Sequence, residues 1–371
     1  MMKVVVIGAL PMSLIRFRGL LLKELGDNGA TVTAMASEAD AEFQKNITNF
    51  AHDYVDYPVA RNGLNPLKDF KTVSSLVRHF KRIKPDIILA YTIKPIIWGG
   101  IAARFAKSPK FYPLVTGLGY AFQPGGFLKS LLILLVRNLY KLALKEAKGV
   151  IFQNPDNMRV FIEQGIVSED KCHLVNGSGV DLAHFEAEPL PNKPRFLLIA
   201  RLLADKGIRE YYQAAEIVKR RYPEAEFHLV GPEDPSPDGI NISEVNKWHD
   251  SGIIHYHGST NDVRPHIKAC NVFVLPSYHE GMPRTVLEAM ATGRPILTTN
   301  VPGCKETVVN SENGWLVKKA SVDELADRMI WFIENLENLD VMAQKSRKMA
   351  MDKFDVHKVN AELLKIMEVV K

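Results

Sequence analysis

The sequence predicts an α/β architecture of two doubly wound domains facing a central cleft. Three observations point there. Short apolar runs alternate with helix-length amphipathic segments through both halves, the pattern of parallel sheets built from strand–helix–strand units. The length, 371 residues, suits two domains at about 150 residues each. Residues 187–194, Ala-Glu-Pro-Leu-Pro-Asn-Lys-Pro, hold three prolines in eight positions, which disfavours helix, extends the chain and marks an interdomain linker.

The first domain, residues 1–186, opens with a strand expected at 3–8, where Val4-Val5-Val6-Ile7 runs into Gly8. That run is long enough for a buried strand and too short for the apolar region of a signal peptide. Further strands are expected at 31–36, 86–90, 111–115, 149–152 and 172–175, with helical periodicity between them at 17–25 and 67–83. The second domain, residues 195–354, repeats the pattern with strands at 195–200, 226–231, 253–258, 271–276 and 295–300. Helices are expected at 321–335, 339–353 and 356–370, and the segment 355–371 is expected to pack back on the first domain. No apolar run reaches the roughly 18 residues of a spanning helix. Ligands of doubly wound sheets sit beyond the carboxyl ends of the strands, so functional residues are sought in the strand-to-helix loops.

Apolar residues at 46% and charged residues at 24% exclude a disordered chain, a collagen and a coiled coil. Cys172, Cys270 and Cys304 lie far apart and form no C-x-x-C pair. This argues against a disulfide framework or structural zinc and for a reduced, cytoplasmic protein. The formal net charge of +5 is unevenly placed. Residues 1–186 carry 23 Lys/Arg against 16 Asp/Glu, a net +7, while residues 187–371 carry 24 against 26, a net −2. Within the first half, residues 57–148 hold 16 basic and 3 acidic residues, a net +13. Such a face points to an anionic partner: nucleic acid, a membrane surface or a phosphorylated substrate.

The most informative segment runs from Asn271 to Pro295. A strand ends at Pro276, a loop carries Glu280, and a helix expected from Pro283 carries Glu288 eight residues later. One carboxylate can face a ligand from the loop and the other from the helix. A carboxylate on a diol is a common ribose device in nucleotide folds. Amide groups around Gly281, Met282, Pro283, Arg284 and Thr285 stand where a helix begins, a place that suits phosphate. In the loop after the strand at 195–200, Arg201 and Lys206 lie five residues apart. Arg201 offers a planar fork for phosphate oxygens and Lys206 a point charge.

The Glu280-x7-Glu288 segment resembles the signature of the family-four retaining nucleotide-sugar glycosyltransferases of the GT-B fold, in which two Rossmann-like domains face a central cleft. Ile199-Ala-Arg201-Leu-Leu-Ala-Asp-Lys206-Gly207 is similar to that family's Arg and Lys pair, and Leu229-Val-Gly231 and Gly258-Ser-Thr-Asn-Asp-Val263 to its neighbouring loops. Asn176-Gly-Ser-Gly-Val-Asp181, Pro302-Gly303-Cys304 and Asn313-Gly314 resemble the subgroup that assembles polysaccharides and lipid-linked oligosaccharides, including the bacterial undecaprenyl-diphosphate N-acetylhexosaminyltransferases. The resemblance implies retaining transfer from a UDP-sugar, an N-acetylhexosamine, with Arg201, Lys206 and Glu280 as the catalytic set. Glu288, residues 281–285, Gly231 and Gly258 would bind the donor. Fixed cations aimed at a departing diphosphate stabilise the transition state more than the ground state. No Asp-x-Asp follows a strand, which argues against a magnesium-bridged diphosphate. No metal or other cofactor is therefore expected beyond the donor itself.

Arg16, Arg18, Lys94, Thr116 and Gly117 follow expected strands of the first domain and are candidates for the acceptor. Tyr91-Thr-Ile-Lys94 and Thr116-Gly117-Leu-Gly119-Tyr120 end strands, and their small residues permit close backbone approach. Residues 127–145 read as a basic amphipathic helix with Arg137, Lys141 and Lys145 within about 80° of arc and Lys129 beside them. With the basic span around it, this helix suits a polyprenyl-diphosphate-linked glycan acceptor at the inner face of an anionic membrane. Alternatives are a sugar-nucleotide epimerase, a transferase to a soluble acceptor, and a nucleic-acid binder, for which no binding motif is present.

Overall fold

The computed structural model describes residues 1–60, 65–106, 110–118, 122 and 126–370, with residues 127–129 described through their backbone. The chain divides into two compact units, Met1–Ser178 with His357–Lys371, and Gly179–Val356.

In the first unit the strands are β1 (Lys3–Ile7), β2 (Thr31–Ala36), β3 (Asp53–Asp56), β4 (Ile87–Tyr91), β5 (Lys110–Val115), β6 (Val150–Phe152) and β7 (Cys172–Leu174). The helices are α1 (Pro11–Asp27), α2 (Ala41–Ile47), α3 (Pro66–Ile83), α4 (Ile93–Phe105), α5 (Phe127–Leu144) and α6 (Pro155–Glu163). The sheet is parallel, in the order β3-β2-β1-β4-β5-β6-β7. A parallel sheet is covered by helices on both faces, so its strands read as unbroken apolar runs. Val5 and Ile7 pack with Ile88, Ala90 and Phe111 on one face. Val4 and Val6 pack with Ile87 and Leu89 on the other. Periodicity missed β3 because Val55 is the one fully buried residue between Asp53 and Asp56.

The second unit contains β8 (Arg195–Ile199), α7 (Ile208–Arg221), β9 (Glu226–Val230), α8 (Ile242–Asp250), β10 (His255–Tyr256), α9 (Arg264–Lys268) and β11 (Val272–Leu275). After these come α10 (Arg284–Ala291), β12 (Ile296–Thr299), β13 (Gly314–Val317), α11 (Val322–Glu334) and α12 (Leu339–Met349). Its parallel sheet has the order β10-β9-β8-β11-β12-β13. Phe196 and Leu198 face one core with Phe227, Leu229 and Val274. Leu197 and Ile199 face the other with Phe273 and Leu275. The helix expected at 339–353 ends its α-helical part at Met349 and closes with a π-helical turn over Ala350–Phe354.

The proline segment is not a linker. The division falls at Ser178/Gly179, and residues 187–194 form a strap on the second unit. Proline lacks an N–H, so such a segment presents carbonyls that need outside donors. Arg294, fully buried, supplies them: Nη1 donates to Glu188 O at 2.9 Å and Nη2 to Pro189 O at 3.1 Å. Asn271 Nδ2 donates to Pro191 O. The chain returns beside its exit, with Val180 N donating to Phe354 O and Val356 N to Val180 O. Helix α13 (Val356–Ile366) then adds Val359, Leu363 and Leu364 to the cluster of the first unit holding Val4 and Leu25.

Along β9 and β10, His228 Nδ1 lies 2.8 Å from His257 Nε2, with the rings stacked, and His255 is adjacent. Burial depresses His228 from 6.5 to about 4 against the opposing effect of its hydrogen bond to the Glu226 carboxylate, and burial also lowers His255 and His257. A histidine held neutral in the fold charges only on unfolding. Its stability contribution is complete above pH 6.5 and is lost as the pH falls towards 4. Thermal unfolding followed from pH 7 to 4.5 is expected to show a falling midpoint, with a shallower fall in His228→Asn.

Candidate active site

Doubly wound sheets open a crevice where the strand order reverses, and in the second sheet that point lies between β8 and β11. Pairing of Val272 with Phe196 and Phe273 with Leu197 delivers the two following loops side by side. Gly207 makes the approach possible. Its φ is +69°, and a Cβ there would stand 2.2 Å from Pro276 O. Tyr278 N donates to Asp205 O at 2.8 Å, fastening one loop to the other.

Lys206 and Glu280 meet at this seam. Lys206 Nζ donates to Glu280 Oε1 at 2.7 Å, with both side chains about 15% exposed (15% and 16%). Ser277 Oγ, fully buried, donates to the same oxygen at 2.8 Å. Burial alone would lower the Lys206 pKa, but the Glu280 and Asp205 carboxylates outweigh it and raise the ammonium above its ordinary value. Lys206 therefore stays charged. Asp205 is raised, first by burial, against the lowering effect of Lys206 and His279, whose Nδ1 lies 3.7 Å from Asp205 Oδ2.

Two glycines fix the surroundings. Gly303, at φ +85°, packs so closely that a Cβ would stand 2.5 Å from Glu280 O, while Glu280 N donates to Pro302 O at 3.1 Å. Gly231 packs likewise on Ala200 O, and its N–H donates to Gly258 O at 2.8 Å. Of the glycine candidates, Gly231 is held by close backbone approach, whereas a Cβ at Gly258, joined to it beyond β10, would meet nothing within 4 Å.

Arg201, expected to face a phosphate, is paired with Asp234 in the loop after β9. Glu288 is buried inside α10, where Arg284 Nε donates to it at 2.8 Å one turn away. Arg284 thus reaches back along its own helix. Pro283 is buried at the helix start and accepts from Val286 N and Leu287 N; Met282 packs on the adjoining core, and Gly281 and Thr285 are half-buried. Sequence reasoning missed Ser277 and Asp234 as members of the site. Ser277 stood inside the segment already singled out, and Asp234 inside the proline-rich run Gly231-Pro-Glu-Asp-Pro-Ser-Pro-Asp.

The model for glycosyl transferases group 1 matches residues 181–349, and that for glycosyl transferase 4-like proteins matches residues 14–154. The chain is 30% identical over 370 residues to the N,N'-diacetylbacillosaminyl-diphospho-undecaprenol alpha-1,3-N-acetylgalactosaminyltransferase of Campylobacter jejuni, covering 96% of each chain. The chain belongs to the group 1 glycosyltransferases. It is 27% identical to an Escherichia coli UDP-Gal:alpha-D-GlcNAc-diphosphoundecaprenol alpha-1,3-galactosyltransferase, over 82% of this chain and 83% of the relative. Anabaena Alr3699/HepE, solved with UDP-glucose, shares its fold at a TM-score of 0.80 and 19% identity, covering 100% of both chains. The architecture of this glycosyltransferase is thus GT-B.

In the first unit of the glycosyltransferase the order reverses between β1 and β4. Arg18, expected near an acceptor, is 3% exposed on α1, with its guanidinium 5.3 Å from the Tyr91 ring centroid. It lies within the packing of α1 on β4, because an arginine at that position of the helix meets the ring at the strand end. Arg16 lies on the same helix, exposed. Lys94 Nζ is paired with Asp69 at 3.2 Å, both largely buried. Thr116 and Gly117 follow β5, half-buried. Gly119, Tyr120 and the side chain of Lys129 lie outside the described residues. Thr92, which sequence reasoning passed over, holds φ +68° at the end of β4, a conformation that β-branched residues rarely adopt.

Gly303→Ala is expected to cost more than about 1 kcal/mol in denaturant unfolding, because strain and collision with Glu280 combine. Gly29→Ala, at φ +82° with nothing within 4 Å of the new Cβ, provides the comparison without collision and is expected to cost less.

Proposed function

We propose that this glycosyltransferase moves an N-acetylhexosamine from its UDP-sugar to a polyprenyl-diphosphate-linked glycan, with retention and without a metal ion, in the assembly of a cell-surface polysaccharide or glycan. The observation that carries the reading is the Lys206–Glu280 pair at the switch point of the second sheet, with Arg201 on the same loop. The names of the relatives from Campylobacter jejuni and Escherichia coli support the acceptor class, and the UDP-glucose complex of the Anabaena protein supports the donor class.

In this reading the ion pair waits for the donor. The diphosphate offers Lys206 an anion, and the sugar hydroxyls offer Glu280 hydrogen-bond donors, so one ligand satisfies both partners as they part. Arg201 and Lys206 then neutralise the charge growing on the diphosphate as the C1–O bond breaks. The acceptor oxygen bonds to C1 on the same face, and its proton passes to the departing phosphate oxygen. Glu280 orders the sugar and does not attack it. Ser277 keeps the Glu280 carboxylate oriented through its shared hydrogen bond. Incubation with UDP-N-acetylgalactosamine, UDP-N-acetylglucosamine, UDP-galactose and UDP-glucose, each with a short-chain polyprenyl-diphosphate glycan, is expected to give an α-linked product that EDTA does not abolish. Glu280→Gln is expected to lower kcat about 100-fold while UDP affinity changes less than about threefold. No transfer from any of the four donors removes the reading.

The acceptor class also implies work at an anionic membrane, on the cytoplasmic side where nucleotide sugars are held. Helix α5 supports this. It buries Val136, Tyr140, Ala143 and Leu144 in the first unit and leaves Leu131, Leu134, Leu135 and Leu142 between 45% and 49% exposed. Arg137, Lys141 and Lys145 run beside those leucines. An outward face of leucine edged by cations suits the headgroup boundary of a bilayer, where each basic residue contributes about 1 kcal/mol. No helix among the described residues is long and apolar enough to cross a membrane. Flotation with phosphatidylglycerol vesicles is expected to carry the protein upward, less so in high salt, and less again for Leu131→Ser with Leu135→Ser. Equal flotation with pure phosphatidylcholine vesicles argues against the charged contact.

A further inference from the structure

Asp234 is placed to control Arg201. The residue is 8% exposed, in the loop that follows β9. Both carboxylate oxygens are engaged: Oδ1 accepts from Ser236 N at 3.0 Å and Oδ2 from Arg201 Nη1 at 2.5 Å. The first contact is a turn that fixes the aspartate to its own loop. The second fixes a guanidinium whose side chain is 45% exposed, against 6% for the Asp234 side chain, so one end of the arginine is held and the rest faces outward.

The loop is itself stiff. Pro232, Pro235 and Pro237 lock three of its φ angles. Gly239 closes it so tightly that a Cβ would stand 2.1 Å from Asp234 O. Leu202 N donates to Pro232 O at 2.9 Å, Ala204 N to Asp238 O at 2.9 Å, and Ile240 N to Leu202 O at 2.8 Å. The loop carrying Asp234 is thereby fastened to the backbone that directly follows Arg201. Burial alone would raise its carboxyl, but hydrogen bonds from Ser236 and Arg201 outweigh it and hold it below the usual range. The carboxylate is charged throughout neutral pH.

We propose that Asp234 is a positioning residue that holds the Arg201 guanidinium in place for the second phosphate of the donor. The inference rests on the reading of Arg201 as a diphosphate ligand. A free arginine gives up side-chain entropy when it is immobilised, whereas a guanidinium already tethered gives up less on meeting phosphate. Removing the tether transfers that cost to the ligand contact.

The test compares UDP with UMP, which lacks the second phosphate. Loss of the Asp234 charge by itself would favour the more highly charged UDP, so a fall in the preference for UDP reports the Arg201 contact. Calorimetric titration is expected to show the preference for UDP over UMP falling about tenfold in Arg201→Ala and about fivefold in Asp234→Asn. The double variant is expected to match Arg201→Ala, because Asp234 acts through the arginine. Asp234→Glu, which keeps the charge, is expected to recover part of the preference. General damage to the fold would weaken UMP as much as UDP and leave the ratio unchanged. If Asp234→Asn no longer binds UMP, Asp234→Ser, which retains an oxygen acceptor for the Ser236 amide, replaces it with the same expected ratio. A fall in Arg201→Ala without one in the Asp234 variants overturns the positioning role alone, as do effects that multiply in the double variant. An unchanged ratio in Arg201→Ala overturns the reading of Arg201 and the role of Asp234 with it.

Discussion

The parallel pairing of β8 with β11 is the constraint on which the candidate site depends. These strands lie more than 70 residues apart in sequence, yet two registered pairs, Phe196 with Val272 and Leu197 with Phe273, set them side by side. The pairing places the strand order's reversal between them, so the helices that follow leave on opposite faces and the loops are left facing one another. Lys206 and Glu280 come together because their backbones are held by this register, by Gly207 against Pro276 and by Tyr278 against Asp205. The ion pair is a consequence of the sheet, and the proposed chemistry is built on the ion pair.

Charge is distributed in the second unit by matching. Each site cation has an acid: Arg201 has Asp234, Lys206 has Glu280, and Arg284 has Glu288. Buried or half-buried charges without partners are costly, so matching is what the folded state requires before a ligand arrives. The three pairs differ in what a ligand can change. Glu288 and Arg284 share one helix and cannot separate far. Lys206 and Glu280 stand on different loops, and a donor bearing both an anion and hydroxyls can take the place of each partner. Asp234 sits in a loop closed by three prolines and Gly239, so its grip is the most rigid.

The first unit uses its charge differently. Its cations are concentrated on helices. Lys94 and Arg18 are drawn into the fold, one to Asp69 and the other to Tyr91, while Lys145, capping the end of α5, remains exposed beside the outward leucines. A solvated basic edge alone would need no exposed leucine stripe. The combination of the two on one helix is what the proposal of a membrane-facing surface rests on.

The order of apolar runs was enough to determine an α/β chain with two parallel sheets, because strands buried on both faces must be continuously apolar. The spacing of Arg201, Lys206, Glu280 and Glu288 was enough to single out candidates in the second half, of which the fold brings Lys206 and Glu280 together. What periodicity could not reach were the edge strands β3 and β13, where half the residues face away from the core or pack through a glycine backbone. Nor could it tell that the proline segment is a strap, since the donors that hold it, Arg294 and Asn271, come from about 80 to 105 residues further along the chain. Only the tertiary structure decided which acid meets which cation. Glu288 turned inward to Arg284, Ser277 joined Lys206 on one oxygen of Glu280, and Asp234 took hold of Arg201. The reason is physical: sequence spacing specifies which loop a side chain leaves from, whereas its partner depends on which loops the sheet register brings within hydrogen-bonding distance.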